Sequence, residues 1–194
     1  MPRFTDADVA YIRDRFRPLE QLCAERGVSP DRVRELIRRR RLPRPAYVLD
    51  DGTEMVAPDY FGLADAAGGA ERLHAYFVER FRERAMADGL PVDEATLAAE
   101  WNDYLTGLYA VCLREVTVED MVRKTLLVGR IGELLERPDP GDAGWRTRLR
   151  ESVDALDRIE KPFSPDHDRR DPPSRVSLIE EPRRRYPHVF TDAA

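Results

Sequence analysis

Leu19-Glu20-Gln21-Leu22-Cys23-Ala24-Glu25-Arg26-Gly27-Val28-Ser29-Pro30-Asp31-Arg32-Val33-Arg34-Glu35-Leu36-Ile37 reads as two short amphipathic helices and the turn between them. Leu19, Leu22 and Cys23 share one face of the first helix, which begins near Pro18 and ends at Gly27, a residue free to take the left-handed conformation that stops a helix. Ser29 stands at the cap of the second. Pro30 follows at its first position, where a missing N–H costs nothing, and Val33, Leu36 and Ile37 form its buried stripe. This spacing is that of a helix-turn-helix. Downstream, residues 46–49 and 53–56 flank Asp50-Asp51-Gly52, a hairpin turn between β-branched and aromatic positions. The sum is a winged helix-turn-helix.

Upstream, Thr5 caps a helix over 6–16 carrying Val9, Ile12 and Phe16, broken by Pro18. Downstream the chain turns helical. Leu73, Tyr76, Phe77 and Phe81 define one helix that stops at Gly89-Leu90-Pro91. A second is expected over 93–114 with Leu97, Trp101, Tyr104, Leu105 and Leu108 on one face. Thr117 with Asp120 resembles a capping box opening a core helix through Leu135. After Pro138-Asp139-Pro140-Gly141, Trp145, Leu149, Val153, Leu156 and Ile159 mark a last helix. Residues 161–194 are rich in Pro, Arg and Asp and are expected to run irregularly over the surface. The expected architecture is therefore mainly α. It comprises a winged helix-turn-helix unit with a small β-hairpin (1–61), a helical bundle (62–160) and an irregular Arg- and Pro-rich tail packed on the bundle (161–194).

Composition narrows the function classes. The 194 residues are 42% hydrophobic, enough for a core, and 36% charged, with a formal net charge of −5 and a pI near 5.4. No run approaches the roughly 20 apolar residues a membrane helix needs, and the N-terminus lacks the apolar stretch of a signal peptide. A cytoplasmic protein with no membrane partner is expected. Cys23 and Cys112 sit in apolar helical patterns and read as small buried hydrophobes, without a disulfide. The chain has no phosphate-binding glycine loop, no nucleophile elbow and no zinc-ligand spacing, so neither a metal nor a cofactor is expected.

Four groups could carry chemistry. Arg34, Arg38, Arg39 and Arg41, with Arg32, Arg40 and Arg44, lie on and after the second helix and could neutralise phosphates, although the negative net charge makes a solvated face the simpler reading. Asp154, Asp157, Glu160, Asp166, His167 and Asp168 gather carboxylates and an imidazole able to transfer protons. Trp101, Tyr104, Tyr109, Cys112 and Arg114 form an aromatic face ending in a cation. Cys112 would need His74, His167 or His188 as its base, and a structural thiol is the better reading. In the tail, Ser174-Arg175 and Arg183-Arg184-Arg185 could clamp a carboxylate or dock an acidic carrier protein.

The block Leu42-Pro43-Arg44-Pro45-Ala46-Tyr47-Val48-Leu49, with Asp51-Gly52-Thr53-Glu54-Met55-Val56 and Pro58-Asp59-Tyr60-Phe61, resembles an uncharacterised actinobacterial family labelled as natural-product biosynthesis proteins. So do Tyr109-Ala110-Val111-Cys112-Leu113-Arg114, Ala155-Leu156-Asp157, Pro162-Phe163-Ser164-Pro165 and Asp168-Arg169. The likeness departs at Arg170-Asp171-Pro172-Pro173, where the family has a Phe-Gly segment. The resemblance implies a setting, a biosynthetic pathway, and no reaction. The expectation is a biosynthetic component, enzyme or accessory subunit, with a biosynthetic protein or acidic carrier as partner. Tyr104, Arg114, Asp157, Asp168 and Arg169 are its candidate catalytic residues; Tyr47, Glu54, Tyr60, Tyr109 and Arg175 are candidate ligand or partner contacts. Residues 19–61 resemble the DNA-binding head of the MerR and excisionase regulators, so the alternatives are a MerR-like regulator reading DNA through Arg34, Arg38, Arg39 and Arg41, and a non-catalytic interaction module.

Overall fold

A computed structural model describes residues 4–162 and 173–191. Helix α1 (Asp6–Arg15) starts at a reciprocal cap: the Asp8 amide donates to Thr5 Oγ1 at 3.2 Å while the Thr5 amide donates to Asp8 Oδ2 at 2.9 Å. Pro18 then stops helical continuation. The two residues before α2 (Leu19–Arg26) form a strand that the sequence does not announce, β1 (Arg17–Pro18), lying at a sheet edge where a proline's missing donor is tolerated.

Helix α2 ends at Gly27, whose φ of 65° is left-handed, and α3 (Pro30–Arg38) starts with Pro30 at its first position. Ser29 occupies the cap position as expected, but its side chain makes no capping hydrogen bond. Strands β2 (Tyr47–Val48) and β3 (Glu54–Val56) pair antiparallel with Tyr47 opposite Met55. Strand β1 adds to the other side of β3, giving a three-stranded sheet in the order β1-β3-β2.

The remainder is helical: α4 (Gly62–Ala66), α5 (Leu73–Ala87), α6 (Glu94–Leu105), α7 (Leu108–Cys112), α8 (Val118–Glu136) and α9 (Ala143–Ile159). Helices α8 and α9 make the most extensive helix pair, and Phe77, Phe81, Met121, Ile131, Leu149 and Leu156 are fully buried among these helices. Phe4, Ile12, Phe16, Tyr47, Leu49, Met55 and Val111 form a second buried cluster beneath α1 and the sheet. No helix among the described residues is long and apolar enough to cross a membrane.

Two expectations need correction. The single helix over 93–114 is broken between α6 and α7. Gly107 has a φ of 78°, and a Cβ there would meet Arg44 O at 2.8 Å. The chain at 44–45 passes directly against this turn, with the Arg44 amide donating to Leu105 O at 2.9 Å. The break is thus imposed by a long-range contact that helical periodicity cannot register. The tail, expected to be irregular, is helical over its described residues: a π-helical segment (Val176–Glu180), α10 (Glu181–Arg185) and α11 (Pro187–Phe190). Ile179, Tyr186 and Val189 bury themselves against the bundle, and Tyr186 meets Trp145 edge-on with ring centres 5.1 Å apart. Between these apolar anchors, Arg183 pairs with Asp154 and Asp157 of α9.

Candidate functional site

Beyond α9 the chain runs alongside the end of α7. Leu113 and Glu160 form an antiparallel bridge, the Arg114 amide donates to Ile159 O at 2.9 Å, and the Lys161 amide donates to Cys112 O at 2.8 Å. This short zipper sets Glu160 and Lys161 beside Cys112, residues almost fifty positions apart in sequence. Helix α8 brings Lys124, Thr125 and Val128, and the start of the helical tail closes over them with Ser174, Arg175 and Val176. Together with Glu100 of α6 and Tyr109 of α7 these residues line a cavity of about 320 Å³, at the lower end of the roughly 300–1,000 Å³ typical of small-molecule sites.

Its polar wall is a buried triangle. Lys124 Nζ lies 2.7 Å from Glu160 Oε1 and donates to Ser174 Oγ at 3.1 Å, while Ser174 Oγ donates to the same Glu160 oxygen at 2.8 Å. Glu160 is only 2% exposed and Lys124 9%. Burial works against the Lys124 ammonium, but the neighbouring Cys112 sulfur and Glu160 carboxylate outweigh it and hold the lysine charged. A buried ion pair contributes little net stability, because desolvation offsets most of the attraction. Its presence on a cavity wall therefore points to binding or chemistry.

At another side of the cavity, Glu100 Oε1 accepts from Thr125 Oγ1 at 3.0 Å and Glu100 Oε2 accepts from the Tyr109 hydroxyl. Arg175 holds the tail in place through Asp157 Oδ1 at 2.8 Å and Lys161 O at 3.1 Å. Asp157 also accepts from Arg183 at 2.8 Å. Burial would raise the Asp157 carboxyl, yet the hydrogen bonds from Arg175 and Arg183 prevail and hold it below the usual carboxylate range. Lys161 donates to Ala110 O at 2.8 Å and to Leu113 O, and burial pulls its amine down to about 8. Among the described residues no three His, Cys, Asp or Glu side chains come together as a metal site.

Of the residues singled out from sequence, the cavity gathers Tyr109, Cys112, Glu160, Ser174 and Arg175, with Asp157 behind Arg175. The others lie elsewhere. Tyr104 is a core residue stacked on Phe77, and burial, with Asp59 nearby, pushes its hydroxyl up. Arg114 is exposed. Tyr47 packs edge-on against Phe16 in the second cluster, and the Tyr60 hydroxyl donates to Pro43 O at 2.8 Å inside the core. Glu54 is bound to Arg34 at 2.8 Å. Asp168, Arg169, Asp166 and His167 lie outside the described residues.

Four arginines on and just after α3 are paired with carboxylates. Arg34 engages Glu20, Asp31 and Glu54, Arg38 and Arg39 both engage Glu35, and Arg41 meets Glu71. Hydrogen bonds from Arg38 and then Arg39 hold the Glu35 carboxyl below its ordinary value.

Lys124, Thr125 and Lys161 drew no notice in the sequence, although one signal for the lysines was there. Of 32 Lys and Arg residues only two, Lys124 and Lys161, are lysines, and both line this cavity. A compact ammonium fits the buried triangle more closely than a planar guanidinium would, while arginines such as Arg38, Arg39 and Arg80 serve as exposed cations.

Residues 73–187 match the model of a family described as a family of unknown function (DUF6058), and the chain belongs to that family. The matched stretch contains every residue that lines the cavity and begins at the first residue of α5, after the sheet and α2–α4. No curated protein and no solved structure matches the chain.

Proposed function

We propose that the protein binds a small organic molecule in the cavity between α7, α8, the end of α9 and the helical tail, and that it works there as an enzyme or accessory subunit of a biosynthetic pathway. The observation that carries the reading is the buried Lys124–Ser174–Glu160 triangle opening on about 320 Å³ of space. Val111, Leu108 and Val128 supply apolar wall, and the triangle with Tyr109 and Glu100 supplies a few convergent polar groups. That combination suits a ligand with a small apolar body and a polar head. The biosynthetic setting rests on the sequence resemblance.

The regulator reading, in which α2, α3 and the β2–β3 hairpin act as a winged reading head, has less support. Its arginines would have to exchange carboxylate partners for phosphates, at a cost to the contacts that hold α3 to α2 and β3.

Native mass spectrometry with indole, benzoate and octanoate as probes, on the parent protein and on Val128→Trp, tests the site. Val128 lines the cavity and is only partly buried, so a tryptophan can fill the space without overpacking the core. The parent should bind at least one probe and Val128→Trp should lose it with little change in melting temperature. Binding by neither protein, or equally by both, would overturn the reading.

A further inference from the structure

Cys112 stands where the sequence offered no base for it, and the structure supplies a different partner. Its thiol is half-buried at the end of α7, donates to Tyr109 O at 3.7 Å, lines the cavity and interacts with the Lys124 ammonium. The other cysteine provides an internal contrast: Cys23 is fully buried in the core, where burial pushes its thiol up. No histidine among the described residues lines the cavity with Cys112: His74 packs on Trp101, with ring centres 4.9 Å apart, and His188 lies on α11.

Three features of the wall combine beside the sulfur. A cation fixed by Glu160 shares the wall with the sulfur and can stabilise negative charge that develops beside it. The cavity leaves room for a small substrate against Sγ. The Lys124 ammonium, which interacts with the sulfur, can offer an N–H to a carbonyl oxygen once the sulfur has reacted, so a donor is in place for a developing oxyanion.

We propose that Cys112 is a nucleophile that accepts a small acyl group from an activated ester or thioester bound in this cavity, with Lys124 positioning and charging the site. The Sγ–C bond forms as the bond from the carbonyl carbon to the leaving group breaks. That bond's electron pair departs with the leaving group, and the thiol proton passes to it or to solvent, so no oxidant, reductant or third reactant is required. The product is an acyl-cysteine. The inference rests on the ligand-binding reading above.

The probe is p-nitrophenyl acetate, which releases a coloured phenolate and leaves an acetyl group located by peptide mass spectrometry. In the parent, acetylation should fall on Cys112 and not on Cys23, at least about tenfold faster at neutral pH than on free N-acetylcysteine. Lys124→Met should slow it at least about tenfold, Lys124→Arg should restore part of the rate, and Cys112→Ser should carry no adduct. Reaction of Cys112 no faster than the free thiol, or equal rates in the parent and Lys124→Met, would overturn the proposal. Should Lys124→Met fail to fold, the comparison of Cys112 with Cys23 and with the free thiol in the parent still decides. Probe binding that is lost in Val128→Trp, combined with an unreactive Cys112, would sink this inference alone; absence of both would sink the ligand site as well.

Discussion

Lys161 carries its amine into the interior, over the Phe16 ring at 5.1 Å and against two backbone carbonyls, with no carboxylate within ion-pair distance among the described residues. Neither carbonyls nor a ring compensate an ammonium as a carboxylate would, so burial depresses its pKa from 10.5 to about 8. Below about pH 8 the lysine is charged in both folded and unfolded chains and the burial penalty stands in full. Between about 8 and 10.5 the folded chain sheds its proton first, the unfolded chain binds more protons, and stability rises with pH. The full gain is about 3 kcal/mol at most. Urea unfolding across that window should show the rise in the parent and a flat or falling profile in Lys161→Met.

At the scale of elements, the decisive event is the docking of the tail on α9. Arg183 reaches Asp154 and Asp157, each at 2.8 Å, and Arg175 reaches Asp157 from the other side. Isolated surface pairs contribute little, about 0–1 kcal/mol, but this network is partly buried and shares one carboxylate between two guanidinium groups. Asp157→Ala leaves both arginines short of a partner. Hydrogen exchange of residues 176–190 should accelerate at least about tenfold while α8 and the buried half of α9 keep their protection. Unchanged protection of the tail would show that Ile179, Tyr186 and Val189 hold it unaided. Because Ser174, Arg175 and Val176 wall the cavity, loosening the tail should also weaken probe binding.

At the scale of the molecule, two buried clusters meet along a seam of specific contacts. The Val116 amide donates to Asp59 Oδ2 at 2.7 Å, the Arg44 amide donates to Leu105 O, and Val111 of α7 belongs to the cluster under α1 and the sheet. Helix α7 thus contributes to the cavity and to the N-terminal cluster together. Such sharing couples the stability of the two parts. Calorimetry should show one unfolding transition, with Val111→Ala lowering it as a whole by the amount expected of a buried truncation, about 1–3 kcal/mol. Two separated transitions would mean that the N-terminal part and the bundle unfold independently.

Much of this architecture is written locally. Thr5, Gly27, Pro30, Gly52 and Thr117 set helix ends and the hairpin turn through caps and backbone preferences that act within a few residues, and apolar periodicity marks α5, α8 and α9 as core helices. What could not be read locally is of another kind. The break at Gly107 follows from the backbone of residues 44–45 passing against it, β1 exists only because β3 offers an edge, and the tail folds because α9 presents two aspartates to its arginines. The site is the extreme case: Tyr109, Cys112, Asp157, Glu160, Ser174 and Arg175 were legible as chemistry-bearing residues but not as neighbours, whereas Glu100, Lys124 and Lys161 joined them through packing and a backbone zipper between positions 112–114 and 159–161. Local propensity is encoded in neighbours along the chain. Burial, charge pairing and enclosed space depend on which distant segments meet, and for this protein those meetings decide where its chemistry lies.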